Sequence, residues 1–88
     1  MNHTELRQIL KDAGIRLTES ALIFRVAQTT LIRWLNGVAP KQIMVYEIAC
    51  KYAELIKLAT EKGILPVKDV KGKARLVAIR AAIRTVAN

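Results

Sequence analysis

Apolar side chains recur at Met44, Val45, Ile48, Ala49, Tyr52, Leu55, Ile56 and Ala59, the spacing of one face of an α-helix. Glu47, Glu54, Lys57 and Glu61 fall on the other side. The pattern runs unbroken to Lys62, about six helical turns, and ends at Gly63 and Pro66. A period of 3.6 residues held over that length cannot be satisfied by a strand. One such element dominates a chain of 88 residues, which has room for one domain and no second core. The expected class is therefore all-α.

Four more helices complete the expectation. Asn2 and Glu5 have capping-box spacing, Met1 and Leu6 staple spacing, and Leu6, Ile9, Leu10 and Ala13 the helical period. Gly14 is placed to end this first helix, with Ile15 folding back on it. Thr18 is the expected N-cap of a short second helix to about Phe24. After a break at residues 25–27, a third helix is predicted from Gln28 to Asn36, stopped by Gly37. Pro40 suits the first turn of the long fourth helix. A fifth is predicted from Asp69 or Val70 to Val86, apolar at Leu76, Ile79, Ile83 and Val86. Ala74, Ala78, Ala81 and Ala82 make a second apolar side, with Lys73, Arg80 and Arg84 between the two. Residues 1–66 form the first unit, and 67–88 a basic C-terminal helix of the same domain.

Charge narrows the partner. Lys and Arg number 15 against 7 Asp and Glu, a net charge of +8. Residues 1–19 and 47–67 are each neutral, 20–46 carry +3 with no acid, and 68–88 carry +5. Two basic segments flanking a neutral one suggest a polyanion, nucleic acid before an anionic membrane surface. The chain is 52% hydrophobic, too apolar for a disordered basic tail. No apolar run approaches the length of a membrane span, and residues 1–14 lack the unbroken apolar stretch of a signal peptide. Cys50 is the only cysteine, which suits a reducing cytoplasm. It falls on the polar side of the fourth helix with no resolving partner, which argues against a redox role. His3 has no neighbouring ligands, and no nucleophile–base pair, carboxylate pair or metal cluster is evident. Neither an enzyme, a cofactor nor a metal is expected.

Two short helices around a three-residue break, the second ending in Trp34-x-x-Gly37, have the form of a helix-turn-helix. Residues 3–52 resemble, without a gap, the DNA-binding domain of the Cro and phage-repressor family (XRE-type, lambda-repressor-like). The resemblance rests on Gly14, Ala21, Val26, Leu31, Trp34 and Asn36-Gly37, then Pro40 followed by Ile48 and Ala49. Three positions depart from the family pattern. Leu17 stands where a bracing Gln is usual, Ser20 where a buried aliphatic is usual, and Arg25 where the turn usually has Gly. Leu17 and Ser20 look exchanged, which predicts a rotated or shifted start to the second helix. If the turn needs φ > 0, Arg25 costs on the order of 1 kcal/mol relative to glycine.

The resemblance implies a five-helix fold that puts its third helix in the major groove of double-stranded DNA. Gln28, Thr29 and Arg33 then fall on base-reading positions, and Ile32 faces outward beside them. Gln matches an adenine edge, Arg a guanine edge, and Ile a thymine methyl. Thr30, Asn36 and Lys41 are candidates for backbone phosphates, as are Lys73, Arg80 and Arg84 on the last helix. A homodimer on an inverted repeat is expected, paired through Leu76, Ile79, Ile83 and Val86, with the fourth helix as the alternative interface. Such a regulator of prokaryotic or phage origin blocks RNA polymerase or recruits it. The rivals are a phage DNA-packaging recognition subunit, which predicts a ring, and a helical interaction module such as an antitoxin or anti-defence protein.

Overall fold

A computed structural model describes residues 1–88. It contains five helices and no strand: α1 (His3–Asp12), α2 (Leu17–Phe24), α3 (Gln28–Leu35), α4 (Ile43–Glu61) and α5 (Lys73–Ala87). α4 is the central element, with α1 on one part of it and α5 on another, while α3 packs on α1 and α2. A single hydrophobic cluster, mostly aliphatic, runs through all five helices, from Leu6 and Leu31 to Ile56 and Ile79. No helix is long and apolar enough to cross a membrane.

The helix ends explain why the chain turns where it does. Asn2 caps α1 by accepting from the Glu5 N–H at 2.7 Å. At its other end the Ile15 N–H donates to the Leu10 carbonyl (3.1 Å), and the Gly14 N–H to Lys11 (3.0 Å). The same paired closure ends α2, where the Val26 N–H reaches Ala21 at 3.0 Å and the Arg25 N–H reaches Leu22 at 3.3 Å. It recurs after α3, with Val38 bonding to Arg33 and Gly37 to Trp34. Each closure needs one residue in the left-handed region. Glycine fills it at Gly14 and Gly37, but after α2 it is filled by Arg25, at φ 57°. Because a Cβ is disfavoured there, Arg25→Gly is expected to stabilise the fold by about 1 kcal/mol. Urea denaturation checks this, and a loss of stability would mean that the Arg25 side chain supports the fold.

Several boundaries differ from the sequence expectation. α2 begins at Leu17, so Thr18 lies inside the helix. Its start is closed by the Arg16 N–H donating to Glu19 Oε1 at 2.9 Å. At the start of α2, Leu17 is exposed and Ser20 is fully buried, its hydroxyl donating to the Arg16 carbonyl at 2.9 Å. That bond lets a serine occupy an apolar position. Pro40 belongs to the loop, because the extended backbone of Gln42 delays α4 to Ile43. α5 starts at Lys73, since Asp69 and Gly72 both have positive φ and neither fits a right-handed helix.

The long stripe of α4 also resolves differently. Its buried positions are Ala49, Ala53, Ile56 and Ala59, whereas Met44 and Ile48 are 76% and 51% exposed. Small side chains let a neighbouring helix approach closely, so alanine takes the core face. Cys50, expected on the polar side, is half-buried near Tyr46, whose phenol is pushed up by burial and then by Cys50.

The largest correction concerns α5. Ile79 and Ile83 are buried in the chain's own core, and Leu76 and Val86 pack against it. Ile79 and Ile83 are thus taken up inside the chain, while Leu76 and Val86 stay half-buried at its edge. Nor does α5 have two separate apolar sides, because Ala82 joins Ile79 and Ile83 inside while Ala74 and Ala81 are exposed.

One ion pair fixes α5 to α2. Arg75 Nε donates to Glu19 Oε2 at 2.8 Å, and its Nη2 donates to Glu19 Oε1 at 3.1 Å and to the Gly14 carbonyl at 2.7 Å. The Arg75 guanidinium holds the Glu19 carboxyl below the usual carboxylate range. The resulting stabilisation is present above the ordinary carboxylate pKa and is lost as pH falls through the lower, folded value. Glu19→Gln is expected to flatten this acid-side loss and to cost about 1–3 kcal/mol at neutral pH. Thermal melts between neutral and acid pH check both. An unchanged acid limb would show that the pair contributes nothing to stability.

Candidate nucleic-acid interface

α3 presents one face inward and one outward because its apolar residues are spaced for it. Leu31 and Trp34 are buried, while Gln28, Thr29, Ile32, Arg33 and Asn36 are exposed. Two contacts fix the helix in this orientation. The Trp34 ring meets Tyr46 of α4 edge to face, with centroids 5.1 Å apart. Next to it, at the same C-terminal end of α3, Arg7 Nη2 from α1 donates to the Leu35 carbonyl at 2.7 Å and to Asn36 Oδ1 at 3.1 Å. A guanidinium there satisfies a terminal carbonyl and opposes the negative end of the helix dipole.

The beginning of α3 is open. Its N-cap is Ala27, which has no side-chain acceptor, and its first turn has no acid. The leading N–H groups therefore keep their partial positive charge uncapped. Gln28 and Thr29 project from this turn.

Beside this turn lies a cleft of about 430 Å³ between the α2–α3 turn, α3 and the start of α4. Thr30, Arg33 and Lys41 line it, together with Arg25, and no acid does. The chain's one salt bridge is the Arg75–Glu19 pair, which does not line the cleft, so Arg25, Arg33 and Lys41 have no carboxylate partner. On the other flank of α3, Ile32 and Asn36 line a second cleft of about 350 Å³ with Arg7, Lys11 and Leu17. Ile32 is 40% exposed there.

The sequence-predicted DNA-contact residues thus separate into four groups. Gln28 and Thr29 stand on the open turn, Thr30, Arg33 and Lys41 share the first cleft, and Ile32 and Asn36 share the second. Lys73, Arg80 and Arg84 are exposed on α5 and line neither cleft. Arg80 Nη2 approaches the Leu22 carbonyl at 3.5 Å. Two contributors escaped the sequence reading. Arg25 reads in the sequence as a turn residue, its one signal being a charge in an acid-free stretch. Arg7 left no local signal, because its partners lie 28 and 29 residues away.

No cluster of three or more His, Cys, Asp or Glu side chains is placed to hold a metal ion. No protein-family model matches the chain, and no curated protein or solved structure does either.

Proposed function

We propose that the protein is a sequence-specific double-stranded DNA-binding regulator of the Cro and phage-repressor helix-turn-helix type, with α3 as its reading helix. The observation that carries this reading is the outward face of α3. Gln28, Thr29, Ile32 and Arg33 are exposed together on a helix held from inside by Leu31 and Trp34. Unpaired cations and an uncapped helix start lie beside them. A helix so presented suits the major groove, where Gln, Arg and an aliphatic side chain each meet a distinct base edge. Lys41, Thr30 and Asn36 are assigned to the backbone, where contacts set register without reading sequence.

The regulator acts as a homodimer on an inverted repeat, with its two α3 helices about 34 Å apart, one DNA turn. Because the apolar face of α5 is internal, the pairing surface is assigned to α4, where Ile43, Met44 and Ile48 are exposed. The basic residues of α5 supply non-specific attraction and steering. Occupancy of a promoter then blocks RNA polymerase or recruits it.

Salt dependence tests the electrostatic part. Affinity for duplex DNA is expected to fall linearly on a log–log plot, with a slope of about −0.9 per phosphate neutralised. Mobility shifts at several salt concentrations measure it, and a salt-insensitive interaction would remove duplex DNA as the partner. Light scattering separates the dimer from the ring of a packaging subunit.

A further inference from the structure

The cleft beside α3 contains more than a backbone contact requires. Its cationic rim is Arg25, Arg33 and Lys41, and Thr30 and Gln42 add neutral hydrogen-bonding groups. Its wall is apolar, formed by Val26, Val38, Val45 and Trp34 among others. At about 430 Å³ it falls within the size range of small-molecule sites, which combine an apolar lining with a few convergent polar groups. Arg25 is informative for a second reason. It occupies a left-handed position that disfavours a side chain, and no hydrogen bond or salt bridge of its guanidinium compensates within the fold. Residues held in sparsely populated backbone regions cluster at functional sites.

We infer that this cleft is a binding site for a nucleotide phosphate. Arg25, Arg33 and Lys41 neutralise the phosphoryl group, and the sugar and base lie along the valine wall. The phosphate belongs either to a free mononucleotide or to a DNA strand, and the chemistry is shared. Arg33 lines this cleft and also stands on the outward face of α3. A free nucleotide in the cleft therefore draws Arg33 away from the groove and competes with duplex DNA. Binding of the phosphoryl group does not depend on the DNA-reading role of α3, but this competition rests on it.

Trp34 is the chain's only tryptophan and lines the cleft, so its emission reports on occupancy. The full chain is titrated with deoxyadenosine monophosphate, inorganic phosphate, deoxyadenosine and a short duplex, with selective excitation of the indole. Deoxyadenosine monophosphate is expected to give a saturable change, inorganic phosphate a weaker one, and deoxyadenosine none. Arg25→Gly, which suits the backbone at that position, and Lys41→Ala are each expected to weaken binding roughly tenfold. Displacement of duplex by the mononucleotide supports the competition. A change with duplex alone, lost in Arg25→Gly, supports the site and assigns its phosphate to the DNA strand. Mononucleotide binding without any duplex binding keeps the site and removes the DNA reading. The inference is overturned if no phosphoryl ligand changes the emission, if deoxyadenosine matches its monophosphate, or if Arg25→Gly binds as the wild type does.

Discussion

Ile79→Ala is expected to lower the folding free energy by about 2–5 kcal/mol. Ile79 is fully buried within the cluster that also contains Ala49, Ala53, Ile56 and Ala59 of α4. Truncation there removes three carbons and leaves a cavity that helices packed through alanines cannot readily close. A domain of this size has only about 5–15 kcal/mol of net stability, so the variant approaches the unfolding threshold. Urea denaturation at two protein concentrations distinguishes this account from a dimer seam on α5. An internal residue gives a destabilisation that does not change with concentration. A loss that disappears as the protein is concentrated would return Ile79 to an intermolecular interface.

Arg33→Ala is expected to weaken binding to the preferred duplex by about 1–3 kcal/mol and to relax preference at one base pair. Binding to random duplex should fall much less, because only one charge is removed. The asymmetry is the point of the experiment. Arg33 stands where α3's outward face meets the cationic cleft, so its position alone allows both a base contact and a phosphate contact. A guanidinium can grip a guanine edge with two parallel bonds, which an ammonium cannot. Arg33→Lys should therefore retain random-duplex affinity and still lose discrimination. If Arg33→Ala weakened preferred and random duplex equally, Arg33 would belong with Arg25 and Lys41 as a phosphate contact. The reading role would then pass to Gln28 and Thr29.

The elements legible in the sequence are those decided by neighbours along the chain. Asn2, Gly14 and Ile15 close α1 through bonds spanning only a few residues. The inward and outward faces of α3 follow from the positions of Leu31 and Trp34. Side-chain hydrophobicity misleads on α4 and α5. Met44 and Ile48 are more apolar than Ala49 and Ala53, yet the alanines are buried because a close helix crossing selects for small size. On α5, four apolar residues at helical spacing fit an internal face and an intermolecular seam equally well. Only the placement of α4 decides between them. The candidate site divides in the same way. Gln28, Thr29 and Arg33 are local to one helix, whereas the cleft is assembled from a turn, a helix and a loop. Arg75 joining Glu19 across 56 residues leaves no local pattern at all.

Selection of the purified full chain against a random duplex library tests the central proposal most directly. The account predicts convergence on an inverted repeat whose half-sites lie about 10–10.5 base pairs apart, centre to centre. Gln28→Ala and Arg33→Ala should each lose preference at a different base pair within the half-site. Recovery of a library with no enriched sequence, at a salt concentration where the protein still retains duplex, would contradict it.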